Sequence, residues 1–269
     1  MGDSLRSRIF RDGLLDGQVV VISGAGSGFG RETALEMLRL GATVIGCGRR
    51  TEPLEETAAL AEELAGQFSF RGLDIRDDEG VDEFFDWVLA EHGHLDTLVN
   101  NAGGWGPKSA LETTDEDFET CFRFNVTTAF SMSRLSVPHM VATAGKGAII
   151  HISSMAGSHP PPGFVAYGVG KAALSWMTQE LAQDFAPKVR VNAIGVGATR
   201  TTALTNFMND EMERTMASRT PMARLGDPED VAACALYLAS PAAAYVTGEV
   251  IGVNGGIVTS QVTMPRTSL

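Results

Sequence analysis

Cysteine is scarce in this chain of 269 residues: Cys47, Cys121 and Cys234 are its only three. Their odd number and wide spacing argue against a disulfide framework or a Cys-based zinc site, and favour a reducing compartment. The five histidines show no H-x-x-x-H spacing, so no metal is expected. Long apolar runs are missing as well. The longest are of the size of Val19-Val20-Val21-Ile22, against the roughly 18 to 20 residues that a membrane span needs. The first ten residues, MGDSLRSRIF, carry arginines but no apolar stretch, and do not read as a secretory signal. Positive charge is in deficit: 21 Lys plus Arg stand against 33 Asp plus Glu, a formal net charge of -12. Nucleic acid and anionic membranes both require a cationic footprint, so neither is an expected partner. The sequence reads as a soluble, acidic, cytoplasmic protein.

No Pro/Ser linker, low-complexity stretch or fixed-period repeat divides the chain, and 44% hydrophobic residues suffice for one sizeable core. Short apolar runs alternate with longer helical patterns. Strands are expected at Val19–Ser23, Ala42–Cys47, Phe68–Leu73, Leu95–Asn100, Gly147–Ser153 and Val189–Ile194, with a short last one near Val250. Helices are expected from the glycine turn to Leu40, over Pro53–Ala65, Asp77–His92, one long stretch Asp115–Val141, and Phe164–Phe185. A helix pair is expected over 203–218, and Asp227-Pro228-Glu229-Asp230 reads as a helix start. Continuous apolar strands between such helices predict an α/β fold: a doubly wound, largely parallel sheet covered on both faces. The domain is expected to span residues 14–258, with tails at 1–13 and 259–269 and a small helical lid insert at about 201–226.

Ligands of such a sheet bind beyond the carboxyl ends of its strands. The first strand–helix junction carries Gly24, Gly28 and Gly30 in a G-x-x-x-G-x-G spacing. Glycines there permit close backbone approach to a pyrophosphate at a helix N-terminus. After the second strand stand Gly48-Arg49-Arg50, with no acid before Glu52. An NAD site places a carboxylate there for the ribose hydroxyl, whereas a 2′-phosphate favours a guanidinium. NADP(H) is therefore favoured, with NAD(H) possible. Asp74, closing the third strand, has two readings: acceptor of the adenine amino group, or cap of the next turn.

Tyr167 and Lys171 stand one helical turn apart on one face. A free tyrosine titrates near 10, so acid–base work near neutrality needs roughly 4 kcal/mol of phenolate stabilisation. An ammonium and an oxidised nicotinamide supply stabilisation of that kind. Ser154 follows the fifth strand, also at the carboxyl edge. Asn125, in the long helix before it, could hold a water beside Lys171.

Together, Ser23-Gly24-x-x-x-Gly28-x-Gly30, Asn100-Asn101-Ala102-Gly103, Asn125, Ser154, Tyr167-x-x-x-Lys171 and Asn254-Gly255-Gly256 resemble the short-chain dehydrogenase/reductase family over roughly residues 14–258. The resemblance implies a Rossmann fold, a homotetramer, and hydride transfer between a nicotinamide and a carbonyl or secondary alcohol. It makes Tyr167 the general acid/base, Ser154 the holder of the substrate oxygen, Lys171 the ribose ligand, and Asn125 the end of the relay. The dinucleotide is expected on Gly24, Ser27, Gly28, Phe29, Gly30, Arg49, Arg50, Asp74, Ile75, Asn101, Ala102, Gly103, Tyr167, Lys171, Gly197, Thr199 and Thr201. Two departures stand out: Val196 precedes Gly197 where the family usually has proline, which could loosen that loop, and Ser23 replaces a threonine. Within the family, Asn100–Lys108, Ala198 with Ala203-Leu204, and Thr220–Gly226 are similar to bacterial 7α-hydroxysteroid dehydrogenases. Enoyl- and oxoacyl-thioester reductases share the same frame. A catalytically idle dinucleotide sensor or scaffold is the rival from another class.

Leu204, Met208, Met212 and Met216 form an apolar stripe in the insert, and methionine suits a surface that closes on an apolar ligand. With Trp105, His159, Ser154 and Phe207 they define the expected substrate site, for a bulky alcohol or ketone such as a hydroxysteroid. His92 and His94 read as solvated turn residues, and His151 as a buried residue of the sheet.

Overall fold

The computed structural model describes residues 10–201 and 208–261. Seven strands build its sheet: β1 (Val19–Ser23), β2 (Thr43–Gly48), β3 (Gln67–Gly72), β4 (Thr97–Asn100), β5 (Gly147–Ser154), β6 (Val189–Val196) and β7 (Val250–Val253). Every pairing is parallel and the order is β3-β2-β1-β4-β5-β6-β7. Parallel neighbours need crossovers, and helices provide them. They are α1 (Gly28–Arg39), α2 (Glu52–Ala61), α3 (Asp78–His92), α4 (Asp115–Phe122), α5 (Thr128–Thr143), α6 (Val165–Phe185), α7 (Asp210–Ser218) and α8 (Pro228–Ala239).

Side chains alternate across β1, and both of its faces are dry. Val20 and Ile22 pack with Leu35 and Leu38 of α1, Leu54 of α2, and Val231 and Leu236 of α8. Val19 and Val21 pack with Phe84 and Phe85 of α3, Met132 of α5 and Leu181 of α6. Burying each such residue contributes about 1.5 to 3 kcal/mol, which is why the strands read as unbroken apolar runs. The result is a single doubly wound Rossmann-like α/β domain. The chain reverses its winding between β1 and β4, so their carboxyl ends leave a crevice there.

Three local outcomes differ from the sequence reading. The long helix is broken into α4 and α5 by a π-helical segment, Arg123–Thr127, in which Thr128 N–H reaches the Arg123 carbonyl. The extra residue in that turn rotates α5 by about 100° relative to α4, and Asn125 sits inside it, 2% exposed. Second, β5 and β6 run on to Ser154 and Val196, which face each other across the ladder. Val196 is buried within β6, and Gly197 N–H continues the ladder onto the Val253 carbonyl at 3.0 Å. The valine thus extends the strand instead of loosening a loop. Third, His92 and His94 are not merely solvated. His92 Nε2 lies 3.2 Å from Ser69 Oγ, and His94 Nε2 lies 3.0 Å from the Gly17 carbonyl. The first member of the expected helix pair falls on 202–207, outside the described residues. Among the described residues, no helix is long and apolar enough to cross a membrane.

Candidate functional site

The crevice is built first by backbone. Ser23, ending β1, uses its hydroxyl to accept the Asn101 and Ala102 N–H groups, both at 3.1 Å. Asn101 returns its Nδ2 to the Ser23 carbonyl at 2.9 Å and the Gly24 carbonyl at 3.2 Å. This exchange joins β1 to β4 at the point where the winding reverses. A hydroxyl is all it requires, so serine in place of threonine changes little.

The glycine turn is packed to the limit. Gly24 has φ +71°, and a Cβ on Gly30 would lie 2.3 Å from the Gly24 carbonyl oxygen. Any side chain at residue 30 would push α1 away from the turn. Ser27, at the N-cap of α1, forms no side-chain capping bond, so the first-turn amides are left to an anion. Arg31 holds the turn from behind, donating to the Gly26 carbonyl, to the Pro53 carbonyl at 3.2 Å and to Thr57 Oγ1 at 3.1 Å. Thr57, fully buried, also donates to the Ala25 carbonyl. Sequence reading missed both residues, since an exposed-looking Arg and Thr on helices carry no motif.

Two adjoining cavities open along this edge. One, of about 440 Å³, is lined by Gly24, Gly26, Ser27, Gly48, Arg49, Arg50, Pro53, Leu54, Leu73, Asp74, Ile75, Ala102 and Phe124. The other, of about 290 Å³, brings together Phe29, Asn101, Gly103, Ser154, Tyr167, Lys171, Gly197, Thr199 and Thr201 with His159, Met155, Phe164 and Met216. An elongated groove with bare helix amides at its glycine turn, arginines at one end and a phenol at the other fits a dinucleotide. Gly28 and Gly30 line neither cavity; they shape the turn. Asp74 is held below the usual carboxylate range by Arg76, whose Nε and Nη2 lie 2.9 and 2.6 Å from its oxygens. It also accepts the Arg76 N–H at 3.1 Å, so it caps its own turn while bordering the groove.

In the second cavity, β5 presents Ser154 and the first turns of α6 present Tyr167 and Lys171. Ser154 Oγ accepts the Ala156 N–H at 3.2 Å, and Ser154 lines the same cavity as Tyr167. Lys171 is 4% exposed, and its Nζ donates to the Ile152 carbonyl at 2.9 Å and lies 5.7 Å from the Tyr167 ring centre. Burial lowers its pKa to about 8. Burial likewise pushes the Tyr167 phenol up, with the neighbouring Ser154 hydroxyl opposing. Desolvation of the phenol thus opposes the phenolate stabilisation expected from an ammonium together with an oxidised nicotinamide.

Asn125 fastens the neighbouring loop. Its Oδ1 accepts the Gly104 N–H at 2.8 Å, while Nδ2 donates to the Cys121 carbonyl at 2.9 Å and the Gly104 carbonyl at 3.2 Å. A Cβ on Gly103 would lie 2.9 Å from Asn125 Oδ1 and 3.2 Å from Lys171 Nζ. Glycine there keeps a gap between the two side chains.

The expected substrate residues divide. Ser154 and His159 line the second cavity, whereas Trp105 and Met208 do not. Leu204 and Phe207 lie outside the described residues. Of the methionine stripe, Met216 reaches the cavity, while Met212 is 44% exposed, because α7 turns one edge inward and leaves the other in solvent. Sequence reading missed Met155, Phe164 and the C-terminal Ile257, Ser260 and Gln261, all of which line the cavity. His151 is fully buried, as expected, between Ser133 Oγ at 3.2 Å and Thr178 Oγ1 at 2.9 Å.

A family model described as enoyl-(acyl carrier protein) reductase matches residues 24–258. The 7α-hydroxysteroid dehydrogenase of Escherichia coli K12 is 36% identical over 243 residues, covering 90% of this chain and 94% of that protein. A 3-oxoacyl-(acyl-carrier-protein) reductase of Thermotoga maritima is 35% identical over 245 residues, covering 91% and 99%. A solved 7α-hydroxysteroid dehydrogenase, complexed with NADH and 7-oxo glycochenodeoxycholic acid, superposes with a TM-score of 0.89 at 36% identity, covering 94% of this chain and 100% of that one. The chain belongs to the short-chain dehydrogenase/reductase family of NAD(P)-dependent oxidoreductases.

Proposed function

We infer that this protein interconverts an apolar secondary alcohol, of the hydroxysteroid kind, and its ketone, with NADP(H) preferred. The observation that carries the chemistry is the cluster of Ser154, Tyr167 and buried Lys171 at the rim of a groove fitted to a dinucleotide. A bound nicotinamide dinucleotide supplies the hydride donor or acceptor and, when oxidised, a positive charge. The Ser154 hydroxyl holds the substrate oxygen. Tyr167 passes the proton between its phenol oxygen and that oxygen. Lys171, anchored on the Ile152 carbonyl, brings its ammonium to the phenol ring and to the ribose side of the groove. Asn125 holds residues 103–104 back, so that the gap beside Gly103 gives Lys171 a route to solvent. Met155, Phe164 and Met216 give the cavity an apolar lining suited to a bulky ring system, with His159 at its mouth.

Arg49 and Arg50 border the other end of the groove. Asp74 is already paired with Arg76, which leaves Arg49 for a 2′-phosphate. A second reading, reduction of a 3-oxoacyl thioester, is favoured by the Thermotoga relative. Homotetramer formation belongs to the same proposal: Val165, Val169 and Trp176, spaced on one face of α6, are 42%, 44% and 62% exposed.

The test is NAD(P)H-linked turnover across steroid, acyl-thioester and small-aldehyde panels, with Tyr167→Phe as control. Turnover of hydroxysteroids that falls about 10²- to 10⁴-fold in the variant is expected. Activity confined to small polar carbonyls rejects the apolar substrate, and an undiminished variant removes Tyr167 from the chemistry.

A further inference from the structure

Beyond Asn254-Gly255-Gly256 the chain turns inward, and Ile257, Ser260 and Gln261 line the catalytic cavity. Gln261 is 4% exposed, as buried as the strand residues around it. Its carboxamide is divided between two separate pieces of chain. Oε1 accepts the Ala198 N–H at 2.9 Å, in the loop after β6 that carries Thr199 and Thr201. Nε2 donates to Thr220 Oγ1, just past the end of α7. Thr220, also 4% exposed, passes its own hydroxyl proton back to the Met216 carbonyl at 2.9 Å. Met216 is the side chain that α7 contributes to the cavity.

A carboxamide, with an acceptor at one end and donors at the other, suits a bridge between a backbone N–H and a hydroxyl oxygen. A second tether holds α7: Arg200 pairs with Glu213 at 2.8 Å and with Asp227 at 3.1 Å. Those side chains are 33% to 46% exposed, so solvent screens them. The glutamine bridge is dry and faces the cavity.

We propose that Gln261 is a positioning residue whose amide clasps the loop after β6 to α7, making Ile257–Gln261 the wall that encloses a bulky apolar alcohol. The substrate in this statement rests on the function inferred above; the clasp rests on the hydrogen bonds alone.

Gln261→Met keeps the side chain's length and removes both bonds, while Gln261→Glu keeps an acceptor for the Ala198 N–H. Hydrogen exchange of the full chain, read by mass spectrometry without added dinucleotide, reports the clasp. Steady-state kinetics on an apolar secondary alcohol reports the enclosure. In Gln261→Met, exchange in peptides covering Ala198–Arg200 and Asp210–Thr220 is expected to quicken by about fivefold or more, with β1 unchanged. KM rises about five- to tenfold and kcat changes less. Gln261→Glu restores protection at Ala198. Unchanged exchange in both peptides overturns the clasp, and faster exchange with an unchanged KM overturns the enclosure. Lost protection in β1 as well rejects a local role. If the wild-type protein turns over no secondary alcohol, the functional reading fails, while the exchange data still decide for or against the clasp.

Discussion

His151 and Arg49 show how much a residue's surroundings decide. His151 is fully enclosed and its pKa is depressed to about 3, with burial the main cause and the Lys171 charge adding to it. An exposed histidine in the unfolded chain titrates near 6.5. Between these values the unfolded state binds a proton that the folded state refuses, so stability is full above about pH 6.5 and falls as pH drops toward 3. Urea denaturation of wild type against His151→Gln at pH 7 and pH 5 checks this. The variant's stability is expected to fall less steeply, by on the order of 1 kcal/mol per pH unit. Parallel slopes would show that His151 does not drive the acid sensitivity. Arg49 works in the opposite setting, exposed at the end of β2 and facing a groove. Hydrogen bonds to charged groups contribute about 1.5 to 3 kcal/mol, so Arg49→Ala should weaken NADPH binding about 10- to 100-fold and NADH binding far less. Equal losses in a fluorescence titration would mean that Arg49 does not read the phosphate.

Helices and strands carried different amounts of information. The central strands were legible because most of their residues are apolar and buried, as in β1, and the glycine turn because Gly24 and Gly28 take positive φ and Gly30 is packed against the Gly24 carbonyl. The π-helical turn at Arg123–Thr127 was not legible, since it inserts one residue without altering composition. Of the expected methionine stripe, Met212 and Met216 lie on α7, and sequence could not say that Met216 faces inward while Met212 stays exposed. Helix α1 holds one further feature that periodicity conceals. Among the described residues, Thr33 Oγ1 is the one buried side-chain polar atom without a hydrogen-bond partner. Thr33 is 1% exposed on α1. A buried hydroxyl left unpaired has a desolvation cost, and valine has the same shape without it. Thr33→Val is therefore expected to be neutral or up to about 1 kcal/mol stabilising in chemical denaturation. A marked loss of stability would mean that the hydroxyl is bonded in solution.

At the scale of the whole molecule, the net charge of -12 keeps copies apart unless an apolar face draws them together. The stripe Val165, Val169 and Trp176 lies on α6, the helix that also carries Tyr167 and Lys171, so the assembly would brace the catalytic helix from outside. Light scattering is expected to give the mass of four chains, and Trp176→Glu to lower it while the circular dichroism spectrum stays the same. A wild-type monomer would remove the tetramer from the proposal. The sequence by itself determined the layered α/β architecture, the glycine turn and the order of Asn125, Ser154, Tyr167 and Lys171, because each depends on local periodicity or on a short motif. Only the tertiary structure decided that burial governs the phenol and the amine, that Asn125 bonds the backbone of residue 104, and that Gln261 reaches the cavity. These depend on desolvation and on contacts between segments far apart in the chain, such as Ala198 and Gln261, which no local pattern encodes.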